Sequence, residues 1–75
     1  MLKEERRKKG MSQMELSIKA DVSLRMIQKY EQGDRNINNA NLMTLCKFSD
    51  ALGVPVWKIV SDKDLIRALR KERRL

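Results

Sequence analysis

Arg25, Gln28 and Lys29 fall within the stretch SLRMIQKYEQG, Ser23 to Gly33, with no acidic residue between them. At 3.6 residues per turn, Leu24, Arg25, Gln28 and Lys29 share one side of a helix, while Ile27 and Tyr30 share the other. A guanidinium is planar and presents paired donors, so Arg25 can donate two hydrogen bonds to O6 and N7 of a guanine, and Gln28 can bond an adenine through both ends of its amide. Each such pair discriminates against the wrong base by ~1 to 3 kcal/mol. Leu24 beside them suits a thymine methyl, or is a leucine left at the surface. Met26 lies between the two faces, on the rim of a core or against a sugar-phosphate backbone.

Other chemistries lack their residues. The chain has no histidine, which removes the usual general base and the usual zinc ligand, and its single cysteine, Cys46, excludes an internal disulfide. Cys46 falls inside an apolar helical pattern and reads as a core filler. There is no Ser-His-Asp or Cys-His set, no metal cluster and no glycine-rich phosphate loop, and the neighbouring carboxylates Glu4 and Glu5 belong to a helix surface. Neither catalysis nor a metal or cofactor is expected. At 75 residues the chain is one domain, and a domain this small buries only about 60% of its unfolded surface, so no small-molecule cavity is expected either.

Seventeen basic against ten acidic residues give a net charge of +7, the balance of a polyanion binder, with nucleic acid ahead of an anionic membrane surface. The excess sits at the ends. Residues 1–11 and 62–75 carry +3 each, residues 37–61 carry +1, and residues 12–36, which hold Arg25 and Gln28, are neutral. Base reading by the centre must therefore come from geometry rather than net charge. No apolar run approaches the 18 or more residues of a membrane span, and no secretory signal pattern is present, so a cytoplasmic location is expected.

With three glycines, one proline and no period-two alternation, the sequence asks for helices and no sheet. LKEERRKK, residues 2–9, is a short charged helix anchored by Leu2 and stopped by Gly10, with Lys8 and Lys9 suited to solvent or to phosphate. Ser12 and Glu15 form a capping box for a second helix that runs to about Lys19 with Leu16 and Ala20 inward. Asp21 suits a left-handed turn, Ser23 caps the third helix and Gly33 ends it. DRNINNA is then a polar loop, with Asn38 expected to cap a fourth helix whose inward stripe reads Leu42, Leu45, Cys46, Ser49 and Leu52. Gly53 ends that helix, Pro55 starts a short fifth, VWKIV, and Ser61 and Asp62 cap a sixth, DLIRALRKERRL.

Two short helices joined by a turn of three to four residues, the second carrying hydrogen-bonding side chains on its free face, have the form of a DNA-binding helix-turn-helix. MSQMELSIKADVSLRMIQKYEQG resembles the helix-turn-helix of phage repressor and Cro-like transcriptional regulators of the xenobiotic-response-element type, and the resemblance continues through ALGVPVWKIV to about residue 60. It rests on Gln13, Glu15-Leu16, Val22-Ser23 and Tyr30-Glu31-Gln32-Gly33. It implies an all-α, compact five-helix lambda-repressor-like DNA-binding domain over residues 1–61, with the helix-turn-helix at about 13–32, followed here by a basic amphipathic helix over 62–75. It further implies that Arg6 pairs with Glu31, that Gln13 and Ser23 contact phosphates, and that Leu24, Arg25, Gln28 and Lys29 of the recognition helix 23–32 face the groove. Ser17 and Asp21 stand where the family usually has alanine and glycine, replacements that keep small size and tolerance of positive φ. Arg35, Asn36 and Asn38, in a loop longer than the family's shortest, are backbone contacts or ordinary turn residues.

One short helix in one groove gives little specificity, so a homodimer on half-sites one DNA turn, ~34 Å, apart is expected. Val54, Pro55, Val56, Trp57 and Lys58 are the candidate interface, Trp57 being equally a core residue with its indole N–H turned to water. The last helix exposes Arg67, Arg70, Lys71, Arg73 and Arg74 and aligns Leu65, Ile66 and Leu69 as a stripe for the domain itself or for a second copy. The expected function is sequence-specific double-stranded DNA binding by a transcriptional regulator, repressing by occlusion of a palindromic operator. The alternative is an antitoxin or adaptor-type protein-binding module on the same fold, in which the apolar residues of the last two helices hold a protein partner.

Overall fold

The chain turns helical where a polar side chain can satisfy a free backbone donor. In the computed structural model, which describes residues 1–72, the five α-helices among the described residues are α1 (Leu2–Lys8), α2 (Gln13–Ala20), α3 (Leu24–Gln32), α4 (Leu42–Leu52) and α5 (Lys63–Glu72). Ser12, Ser23, Asn41 and Asp62, ahead of the last four, each accept the backbone N–H three residues on, at 3.0, 3.2, 2.8 and 2.9 Å. Such bonds fill one of the four orphan donors at a helix start. The Ser12 amide also donates to Glu15 Oε1 at 3.0 Å, completing the capping box. Short 3-10 turns at Ile37–Asn39 and Val56–Lys58 lead into α4 and α5. Arg73 and Arg74, expected on the last helix, lie outside the described residues.

Two helices stop by one device. Asp21 (φ 55°) and Gly53 (φ 66°) adopt the left-handed conformation after α2 and α4. The N–H groups of Val22 and Val54 then return to the carbonyls of Ser17 and Ser49, both at 3.2 Å. The hydroxyls of the same serines donate to the carbonyls of Val22 and Val54. Ser17, expected only to keep the small size of the family's alanine, completes a helix end.

The helices pack around one apolar cluster in which Leu16, Ile27, Phe48, Leu52, Val56 and Ile59 are the fully enclosed side chains. Tyr30 of α3 meets Phe48 of α4 edge to face, with ring centroids 6.1 Å apart, an arrangement that favours aromatic pairs beyond the area they bury. α2 lies against α3 and α4, α1 against α3 and α4, and the Val56–Lys58 turn against α4 and α5. Leu69 brings α5 into the same cluster.

Some expectations from sequence are corrected by the fold. The inward stripe of α4 is centred on Leu45, Phe48 and Leu52: Phe48 is 0% exposed and Leu42 54%, so the face keeps Leu45 and Leu52 but is turned by roughly 60 to 90° from the expected one. Cys46 consequently sits half-buried at the edge of the core instead of filling it. α4 is capped by Asn41, not Asn38. VWKIV forms a 3-10 turn rather than an α-helix, and Val56, a candidate for a dimer surface, is 1% exposed and belongs to the core.

A charged pair joins the first and third helices inside this framework. Arg6 Nε and Nη2 donate to the two carboxylate oxygens of Glu31, both at 2.8 Å, and Nη1 donates to the Met11 carbonyl at 2.7 Å. Gln13 Nε2 adds a further bond to Glu31 Oε1 at 3.1 Å. Burial alone would push the Glu31 carboxyl up, but the hydrogen bonds from Arg6 and Gln13, with the positive charges of Arg6 and Lys3, outweigh it and hold the carboxyl below the ordinary glutamate value.

Removing one partner strands the other where little water reaches it. Arg6→Ala is expected to cost about 3 to 5 kcal/mol by chemical denaturation, a large share of the 5 to 15 kcal/mol typical of a domain. Because the folded-state carboxyl is the stronger acid, its contribution is complete above the unfolded glutamate value of about 4.3 and is lost as pH falls through the lower folded value. Glu31→Gln should accordingly flatten the acid limb of a stability-versus-pH curve. For α4, Phe48→Ala should lose about 3 to 5 kcal/mol and Leu42→Ala no more than about 0.5; comparable losses would restore the stripe expected from sequence.

Candidate nucleic-acid interface

Ser23 fixes the first turn of α3, and the length of the helix then sorts its side chains. Ile27 and Tyr30 are buried, whereas Arg25 is exposed and Leu24, Gln28 and Lys29 are half-buried on the opposite side. Met26 packs against the rim of the core. Among the described residues, every ion pair leaves out Arg25 and Lys29, so their donors are available to a ligand. The face is convex and projects from a helix about 10 to 12 Å across, dimensions that fit a major groove about 12 Å wide.

The opposite end of the helix is immobilised. Glu31, in its last turn, is held by Arg6 of α1 and Gln13 of α2 at once, and Gly33 (φ 85°) terminates it. Three helices thus meet on one carboxylate, so the angle between α2 and α3 is set by hydrogen bonds as well as by packing. Gln13, expected to meet a phosphate, stands at the first position of α2 with one amide donor committed to Glu31. The Ser23 hydroxyl accepts from Met26 and keeps its own proton for an acceptor outside.

After α3 the chain turns back, with the Arg35 amide donating to the Lys29 carbonyl at 3.2 Å. Arg35 and Asn36 are exposed, and Asn36 Oδ1 accepts from the Asn38 amide at 3.0 Å. Asn38 is not free for that role. Its Nδ2 donates to Asn36 Oδ1 at 2.9 Å and to Ser61 Oγ at 3.0 Å, and its Oδ1 accepts from the amides of Ser61 and Asp62 at 2.7 and 2.9 Å. Every bonding position of that side chain is used, three of the four bonds tying the loop to the start of α5. Asn39, which sequence reasoning passed over, lines with Tyr30, Arg35, Asn36 and Ala40 a polar cleft of about 190 Å³. Its signal was the i, i+3 spacing from Asn36, since residues three apart eclipse in a 3-10 turn. A guanidinium beside two amides is chemistry for a phosphate oxygen.

Val54, Pro55 and Trp57 of the candidate dimer surface are half-buried and Lys58 is exposed, while Val56 is enclosed. Trp57 carries two cations over its ring, the Arg70 guanidinium 4.9 Å and the Lys58 ammonium 5.6 Å from the centroid. Among the described residues no three His, Cys, Asp or Glu side chains gather as a metal site would require, and no helix is long and apolar enough to cross a membrane.

Comparison with curated proteins and with solved structures gave no match. The family model described as Helix-turn-helix matches residues 2–56, the span from α1 to the turn after α4 that includes the Arg6–Glu31–Gln13 junction and the whole free face of α3. That family is one of DNA-binding regulatory domains and not of enzymes. Matched over most of its length, the chain belongs to the Cro/C1-type helix-turn-helix family of DNA-binding regulators.

Proposed function

We propose that the protein is a sequence-specific repressor that reads a palindromic operator as a homodimer, with α3 in the major groove. The observation that carries this reading is the free face of α3: Arg25 exposed and unpaired, Gln28 and Lys29 beside it, on a helix whose other side is locked into the core and whose end is clamped through Glu31. A base-reading side chain discriminates only if its backbone is held in place, and the clamp supplies that rigidity.

In this reading Arg25 and Gln28 meet base edges, Leu24 a thymine methyl and Lys29 a base or the adjoining phosphate. Gln13 and Ser23 anchor the phosphates at the start of the two helices, and Arg35, Asn36 and Asn39 anchor those beyond the end of α3. Two-fold pairing uses the surface around Val54, Pro55, Trp57 and Lys58 without Val56. Binding of this kind represses by covering a promoter.

Selection of bound duplexes from a random pool at near-physiological salt tests the proposal. The expected result is a two-fold symmetric sequence with half-sites about one turn, ~34 Å, apart; enrichment of an asymmetric site or of none would remove the dimeric operator. Arg25→Ala is expected to lose ~1 to 3 kcal/mol on the selected site and to relax preference at one position. Arg35→Ala should weaken selected and scrambled duplexes equally and lower the salt slope by about one. Equal losses on both duplexes for Arg25→Ala would sink the base-reading assignment.

A further inference from the structure

Helix α5 lies beyond the matched span of residues 2–56, and its packing leaves one side uncovered. Leu69 enters the core, and Leu65 and Ile66 lean against it. On the remaining side Lys63, Ile66, Arg67, Arg70 and Lys71 line an open groove of about 590 Å³. The spacing i, i+3, i+4, i+7, i+8 sets four cations along one face, the outer two about 12 Å apart along the axis. Among the described residues the one carboxylate paired with them is Asp64, 3.8 Å from Arg67, and both members are largely exposed, an arrangement of little strength that a stronger anion displaces. Arg70 is steadied over the Trp57 ring, a contact that orients the guanidinium without occupying its hydrogen-bond donors.

We propose that this face of α5 is a second DNA-binding surface, contacting the phosphate backbone outside the bases read by α3. The proposal rests on the DNA-binding reading of α3. Charge and placement both favour a duplex as the occupant. One DNA strand carries a charge about every 3.4 Å of axis, so 12 Å of helix face spans three to four phosphates. Asn38 fastens the amides of Ser61 and Asp62 to the loop that carries Arg35 and Asn36, so the first cation of the row, Lys63, follows directly on the loop assigned to the backbone. A membrane is the poorer occupant, because Leu69 is buried and Leu65 and Ile66 pack against the core, which leaves at most the edge of Ile66 among the cations and no apolar stripe wide enough to insert between lipids.

Such contacts add affinity on every sequence and release counterions. The test is fluorescence anisotropy with the full chain on the selected duplex and on a scrambled duplex of equal length, each across a series of salt concentrations. The variant K63Q/R67Q/K71Q is expected to lower the slope of log affinity against log salt by about 0.9 for each phosphate it no longer neutralises, up to roughly 2.7 in all, equally on both duplexes. The exposed pair K63Q/K71Q leaves the Arg67–Asp64 and Arg70–Trp57 contacts intact and repeats the test, with an expected shift of up to about 1.8, should the triple variant melt early. An unchanged slope on both duplexes overturns the proposal, as does a loss confined to the selected duplex. An unchanged slope with weakened self-association also overturns it and reassigns the face to contact between copies. If the wild type favours no sequence, the base-reading role of α3 fails by itself, and the slope on the scrambled duplex still decides the role of α5.

Discussion

A single carboxylate, Glu31, holds the helix-turn-helix in shape. It receives two bonds from Arg6 and one from Gln13, so α1, α2 and α3 are joined at a point where water is excluded and the charges are little screened. Hydrophobic burial is non-directional and would accept small rotations of α3 against its neighbours. The bidentate guanidinium–carboxylate geometry does not, because both parallel bonds break together when either plane tilts. Buried ion pairs add little net stability compared with apolar side chains of the same shape. What this one contributes is orientation, and orientation is what a base-reading helix requires.

Around that junction the fold is organised by its punctuation more than by helix propensity. Helices of seven to eleven residues are too short to be stable alone in water, so each depends on a buried face, and the last four also on side-chain caps. Ser12, Ser23, Asn41 and Asp62 open them; Asp21, Gly33 and Gly53 close α2, α3 and α4. The two serines that donate to carbonyls beyond the ends of α2 and α4 give these helices a common termination, although one has aspartate at the left-handed position and the other glycine. Polar groups thus set where the helices begin and end, and Phe48, Leu16 and Ile27 set how they meet.

Charge and specificity occupy different parts of the molecule. The neutral centre holds the side chains able to distinguish bases, whereas the excess positive charge lies in α1 and in the segment containing α5. In the proposed reading, long-range attraction to a polyanion brings the protein to DNA without regard to sequence, and short hydrogen bonds at α3 then discriminate. Separating the two lets the recognition face remain small.

The sequence by itself determined the order of the helices, the capping box at Ser12, the left-handed turn at Asp21 and the division of α3 into a buried and a free face. All of these are local, fixed by residues within a few positions of one another. Its errors lie where distant segments meet. Leu42 and Phe48 both fit an apolar helical stripe, and only contact with Tyr30, eighteen residues before Phe48, selects the face that turns inward. Asn38 has the composition of a cap, yet its partners Ser61 and Asp62 are more than twenty residues away. Val56 follows a proline at a surface turn, and the packing of α4 and α5 encloses it. Arg6 and Glu31 were paired by resemblance and not by spacing, because a bond spanning 25 residues leaves no periodic trace. Local hydrogen bonding decided the elements; the choice among equivalent faces was left to tertiary packing, whose partners the chain brings together only when folded.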